Sequence, residues 1–407
     1  MAGQNVAPSP SGNDLSPPVL QVSLRPLRPL RPLGPCQANW SAAERRASSQ
    51  KPHRGVRGDA SPRRGSGGWP PSLLLSACIR QPDGACWRNQ AKEIDIVMGA
   101  VPGKVYFGVA GWSYEDWRDT VYRLPDPPQQ PSLFAEFAPE KPKPRYAPDP
   151  LVFLADYVDM IEINSSFYRI PSAKSTAAWA QKVATHPDFF FTAKLHQDFT
   201  HRSHQDEILA QRYTDAFCPL KEAGRLRGIL AQFRYDFTDC FANRLLLEWM
   251  HIRFGDFAPL IVEVRHRSWQ EPEALQFLLG LQATIANLDY PTARDSFDLK
   301  TSAGGDAGYL RLHGRNRKAW FASDLPPHET YNYNYSDAEI DDLAEQGETI
   351  LSDVKTLTIV ANNHYRGKAV SAAARLKAAM THEQVSVPPA LLETYPDLRA
   401  IARPAKP

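Results

Sequence analysis

The chain has 407 residues, 43% of them apolar, and a formal net charge of +2, a balance that excludes a wholly disordered protein and leaves ample material for a large core. No apolar run approaches the roughly 18 residues a membrane-spanning helix needs, so that class is excluded too. The charge is uneven: residues 1–97 hold 13 Lys/Arg against 6 Asp/Glu, a net of +7 that leaves −5 for the remainder.

Residues 1–97 read as a disordered, basic, Pro/Arg-rich extension, since proline at this density removes backbone donors and excludes regular helix and sheet. Met98 is a natural alternative start, which would make the extension no part of the native protein. Arg63-Arg64 ahead of Leu73-Leu74-Leu75-Ser76-Ala77-Cys78 imitates an export signal, but its apolar stretch is short and far from Met1. Five cysteines without a Cys-x-x-Cys pair fit a reducing cytoplasm better than a disulfide framework.

The texture changes at Lys104. Short β-branched or aromatic runs recur at 105–110, 159–164, 189–195, 228–233, 260–266, 283–289, 308–313 and 356–362. Helical patterns at 150–157, 173–182, 206–223, 242–250, 271–279, 337–352 and 368–381 separate most of them. Strands alternating with helices over this length predict an α/β protein, a TIM-like (β/α)8 barrel, spanning 98–385 and followed by a tail at 386–407. A doubly wound sheet is the alternative, but Gly108 and Gly111 do not form a G-x-G-x-x-G turn, and no cofactor is expected. The Pro-rich stretch 122–150 is long for a barrel loop and could fold over the mouth as a lid.

Barrel active sites draw on the C-terminal ends of the strands, so the strand order becomes a residue order. Strand two offers Glu162 and Asn164 on one face, and strand three Lys194, then His196. Strand four offers Gln232, and strand five Glu263 and Arg265 with His266 opposite. Strand six offers Asn287 and Asp289, and strand eight Asn362, Asn363 and His364. Strand seven is the most telling. Arg311 and His313 share a face, and Gly314 then releases Arg315 and Asn316 into a loop. Each group also has a plainer reading. The carboxylates could pair with the arginines as buried structure, His266 and His364 could cap loops, and Trp112, Trp117, Trp269 and Trp320 could simply pack.

These stretches resemble the domain-of-unknown-function-72 family, also called YecE-like, from about Val105 to Met380. The resemblance is carried by Gly111-Trp112-Ser113-Tyr114 with Trp117, by Glu162-Ile163-Asn164-Ser165-Ser166-Phe167-Tyr168-Arg169 with Pro171 and Trp179, and by Lys194 with Thr200-His201. Gln232-Phe233, Glu263-Val264-Arg265-His266 with Ser268-Trp269, and Arg311-Leu312-His313-Gly314-Arg315 with Trp320 continue it. Tyr335-Ser336 and Asn362-Asn363 with Gly367 close it. The resemblance implies a TIM-like barrel and implies no reaction.

The leading expectation is an enzyme, of hydrolase or isomerase type, for a phosphorylated or carboxylated small substrate. Lys194, Arg265, Arg311 and Arg315 would hold the anion, with Asn164, Gln232, His266, Asn362 and Asn363 around it. Glu162 or Glu263 would be the base, and His313 the acid or proton shuttle. A second reading is a metal-dependent hydrolase or nuclease with a divalent ion on Glu162, Glu263, Asp289 and His313. A third is a non-catalytic nucleic-acid-binding protein that uses the basic extension. The acidic balance of the body weighs against it.

Overall fold

The apolar runs close into one parallel barrel whose strands follow one another in chain order. The structure, a computed structural model, describes residues 103–126, 143–322 and 324–404. The strands are β1 Lys104–Ala110, β2 Met160–Ile163, β3 Phe190–Lys194, β4 Leu226–Gln232, β5 Leu260–Glu263, β6 Thr284–Asp289, β7 Ala307–Leu312 and β8 Thr356–Ala361. β1 pairs in parallel with β8, from Lys104 opposite Thr356 to Val109 opposite Ala361, and this closes the cylinder.

Both strand faces are buried, which is why the runs are largely apolar rather than alternating. Outward residues such as Phe107, Val109, Ile161 and Phe191 join the layer beneath the helices. Inward residues fill the barrel with Tyr106, Met160, Phe190, Leu230, Ile261, Leu288, Tyr309 and Val360. Gly108 is small of necessity, because a Cβ there would lie 2.2 Å from the Met160 sulfur.

The main helices are α1 Pro150–Leu154, α2 Ala173–Lys182, α3 Glu207–Glu222, α4 Phe241–Phe254, α5 Pro272–Gly280, α6 Asp337–Ser352 and α7 Lys368–Thr381. Their starts are written in the sequence as capping residues. Asp149 accepts from Leu151 N at 3.0 Å, and Asp206 accepts from Leu209 N at 2.9 Å. Ser336 and Glu339 form a reciprocal capping box. A non-helical stretch joins β6 to β7, where no helical pattern was expected.

Three expected bounds are corrected, the first being the helix expected over 242–250, which runs on to Phe254. The helix expected over 150–157 stops at Leu154, beyond which the turn tightens to i→i−3 bonds, Asp156 N to Phe153 O at 3.3 Å and Tyr157 N to Leu154 O at 2.9 Å, before the chain enters β2. The fifth strand ends at Glu263 rather than at residue 266. Beyond it Phe297 N binds Arg265 O at 2.9 Å, and the His266 side chain caps the turn Arg267–Gln270. After α7, the segments Pro389–Thr394 and Pro396–Ala400 lie against the barrel with Leu391 and Leu398 buried. The expectation for residues 1–97, and the 127–142 part of the lid expected over 122–150, fall outside the described residues. Among the described residues no helix is long and apolar enough to cross a membrane.

Candidate functional site

Period-two alternation brings Glu162, Gln232, Glu263, Arg311 and His313 to the barrel interior at the C-terminal ends of their strands. There they form one connected network. Arg311 Nε and Nη2 bind the two oxygens of Glu162 at 3.0 and 2.6 Å. Its Nη1 donates to Gln232 Oε1 at 3.1 Å and to Glu263 Oε2. Arg265 reaches Glu263 Oε1 through Nε at 3.0 Å and Nη2 at 2.7 Å. From below, the Tyr309 hydroxyl donates to Glu162 Oε2 at 2.9 Å.

His313 closes the ring. Asn362 Nδ2 lies 3.0 Å from His313 Nδ1. An amide donor there makes Nδ1 the acceptor, which puts the imidazole proton on Nε2, 3.5 Å from Glu263 Oε1. Glu162, Glu263, Arg311 and His313 are all fully buried. Burial works against the Glu263 carboxylate, but Arg311 and then Arg265 hold it well below the usual range. Burial pushes His313 down to about 3 against the pull of Glu263. Two carboxylates thus face two guanidiniums and a neutral imidazole, and the network balances its own charge.

A cavity of about 380 Å³ opens above this network at the barrel mouth. Trp112, Tyr114, Tyr168 and Tyr331 contribute aromatic faces to its lining, while Ser113, Asn164, Ser165, Gln232, Asn362 and His364 contribute polar atoms. Lys194 and the edge of Arg311 supply the cationic part. The turn after β1 shapes one wall. Gly111 takes φ +85, and the Tyr114 hydroxyl returns to Ala110 O at 2.6 Å. Tyr114 stacks on His364 with centroids 4.3 Å apart, and Trp117 donates to His364 O at 2.6 Å.

Lys194 differs from the arginines. Its amine lies 4.1 Å from the Phe167 ring centroid, and among the described residues no carboxylate comes within ion-pair distance of it. Burial, then repulsion from Arg311, pushes it down to about 7 despite the opposing pull of Glu263 and Glu162. Gln232 is oriented by its partner. With Oε1 taken by Arg311, its amide nitrogen is left as a donor to the cavity. Asn164 Oδ1 is buried with no partner, and so is His364 Nδ1.

Of the residues expected at the site, Asn164, Lys194, Gln232, Arg311 and Asn362 line the cavity. Glu162, Glu263 and His313 lie in the network beneath it, and Arg265 sits under the Trp320 ring at 5.3 Å. Arg315 turns instead to Asp289 at 2.9 Å and Glu339 at 3.4 Å. His266 Nδ1 is held by Ser268 Oγ at 2.9 Å, and buried Asn363 donates to Tyr333 O at 3.0 Å. These four do not line the cavity. The strand-end rule missed Trp112, Ser113, Tyr114, Ser165, Tyr168 and Tyr331 because loops carry them. The Gly-Trp-Ser-Tyr run after β1 was a usable signal, whereas Tyr331 sits in a long loop without periodicity. Among the described residues no three His, Cys, Asp or Glu side chains gather as metal ligands.

A closed parallel barrel with a polar, aromatic-walled cavity at the C-terminal strand ends defines the class as a TIM-like barrel protein. The chain belongs to the family described as protein of unknown function DUF72, whose model matches residues 106–396. The chain is similar to the UPF0759 protein YunF of Bacillus subtilis (strain 168), at 22% identity over 306 residues, 72% of this chain and 100% of that protein. It is also similar to the crystal structure of a DUF72 family protein from Thermotoga maritima, at 30% identity and a TM-score of 0.55, covering 69% of this chain and 100% of that one. A DUF72 family protein from Enterococcus faecalis V583 matches with a TM-score of 0.56 at 22% identity, covering 68% of this chain and 95% of that one.

Proposed function

We propose that this protein is an enzyme acting on a small anionic substrate, phosphorylated or carboxylated, held in the barrel-mouth cavity. One observation carries the reading: Lys194 faces the cavity without a carboxylate partner, above a network whose two carboxylates and two guanidiniums cancel. A protonated Lys194 leaves the site one positive charge in excess, and an anion bound there would restore balance. The cavity amides would orient the rest of the ligand, and the aromatic walls would cover its apolar faces.

The roles expected of the carboxylates change accordingly. Glu162 and Glu263 are saturated by Arg311 and Arg265, so they serve by fixing the floor rather than by taking substrate protons. The same saturation removes the donors that a divalent ion would need, and the metal-dependent reading loses its support.

Thermal-shift and calorimetric titration with inorganic phosphate, sugar phosphates and dicarboxylates tests the proposal. Stabilisation by at least one anion, lost in Lys194→Ala, is the expected result. Equal indifference of the wild type and the variant to every anion would sink it.

A further inference from the structure

We infer that Lys194 is an amine nucleophile that condenses with the carbonyl carbon of a small anionic aldehyde, ketone or keto acid to form an iminium. The inference rests on the anion-site reading above and names the substrate class for the same cavity.

The geometry gives the amine what this chemistry requires. Several other lysines of the barrel are paired with a carboxylate: Lys182 with Asp149 at 2.5 Å, Lys377 with Asp159 at 2.6 Å and Lys355 with Asp306 at 2.8 Å. Lys194 stands at the end of β3 on the cavity wall with its amine beside an aromatic ring. Its backbone is fixed. Ser166 Oγ lies 2.6 Å from Lys194 O, and the Tyr213 hydroxyl lies 3.2 Å from it. A lysine desolvated in this way, with guanidiniums nearby, keeps a large share of its amine unprotonated near neutrality.

The neighbours suit the remaining atoms. The amide nitrogen of Gln232, turned outward by Arg311, is a donor for the oxygen that gains charge as the amine attacks. The unpartnered Oδ1 of Asn164 is an acceptor for the hydroxyl of the resulting carbinolamine or for a hydroxyl of the substrate. In the condensation the nitrogen lone pair forms the C–N bond and the carbonyl π pair moves to oxygen. That oxygen collects one proton from the attacking nitrogen and one from solvent, and then leaves as water. The product carries one positive charge on nitrogen, so the cavity keeps a cation opposite the substrate's anionic group.

Reductive trapping tests this on the full chain. Glyoxylate, pyruvate and dihydroxyacetone phosphate are each incubated with the protein at neutral pH under borohydride, and the modified lysines are located by peptide mass mapping. Lactate and glycerol 3-phosphate, which lack the carbonyl, are titrated in parallel by calorimetry. The expected result is an adduct on Lys194 with at least one carbonyl probe, about tenfold or more above exposed Lys174 and Lys318. Lys194→Arg and Lys194→Met, checked for folding by circular dichroism, should abolish that adduct and leave surface labelling unchanged. Binding of the carbonyl-free anions without preferential Lys194 labelling by any probe overturns the nucleophile and leaves the anion site standing. Labelling of Lys194 without binding of any carbonyl-free anion overturns the anion site alone. Absence of both overturns both.

Discussion

Arg311 on β7 grips both oxygens of Glu162 on β2 from the far side of the barrel, through contacts of 3.0 and 2.6 Å. The same guanidinium reaches Gln232 on β4 and Glu263 on β5, so one side chain ties four strands together. Removing it leaves two fully buried carboxylates without their counterion. Arg311→Met should therefore lower the unfolding free energy by about 3–5 kcal/mol. Arg311→Lys should recover only part of that, because an ammonium cannot match the bidentate fork. Urea unfolding measures both, and a loss in Arg311→Met below about 1 kcal/mol would remove the network from any account of stability.

Acid should act on the same network. Burial holds His313 down at about 3 from an ordinary 6.5, so between those values the unfolded chain takes up a proton that the folded one refuses. Stability then falls as pH drops from about 6.5 toward about 3. Glu263, held low by Arg311 and Arg265 against its burial, adds a loss of the same sign at the acid end. His313→Gln should flatten this slope, with a difference on the order of 1–3 kcal/mol across the window. A stability–pH curve unchanged by that substitution would contradict the assignment.

Lys194 should act in the same sense at the other end of the scale. Its amine is pushed down to about 7 by burial and by Arg311, so the folded state resists protonation that the unfolded state accepts. The penalty is fully present below about 7 and fades as pH rises toward 10.5. Lys194→Met should thus stabilise the ligand-free protein at mildly acidic pH by on the order of 2 kcal/mol, and by progressively less in alkali. A variant no more stable than wild type at low pH would show that the amine is solvated there.

Gly314 sets where the strand-seven loop begins. It takes φ +87, and a Cβ there would meet Tyr333 Cβ at 2.6 Å. Gly314→Ala should cost about 1–3 kcal/mol from the left-handed backbone and the clash together. It should also weaken the bond of 2.9 Å from Gly314 N to the Tyr335 hydroxyl. Thermal unfolding, with amide exchange at residue 314, reads both effects.

The barrel was legible because short, largely apolar runs alternate with helical patterns, and the helices do begin at capping residues such as Asp149, Ser172, Asp206 and Ser336. What the rows of residues could not reveal was which charges cancel. Glu162, Glu263, Arg265 and Arg311 look equally available in one dimension, and only their meeting in space shows that they satisfy one another. Arg315 looked like a loop residue free to meet a ligand, yet Asp289, 26 residues earlier at the end of β6, takes it at 2.9 Å. Lys194 stands out only by subtraction, once every nearby carboxylate has been assigned elsewhere.

The segment after α7 bears on how the cavity comes into being. Pro389–Thr394 packs on the short helix Trp117–Thr120, and the Tyr395 hydroxyl donates to Arg366 O at 2.9 Å, beside the His364 loop. Gly367 lies so close that a Cβ there would approach Leu391 at 3.0 Å. During synthesis these residues leave the ribosome after every strand has been made. A nascent chain halted before residue 389 would carry all eight strands while lacking the buttress behind Trp117 and His364. The support behind the His364 wall of the barrel-mouth cavity is therefore completed only after the eight strands have been made.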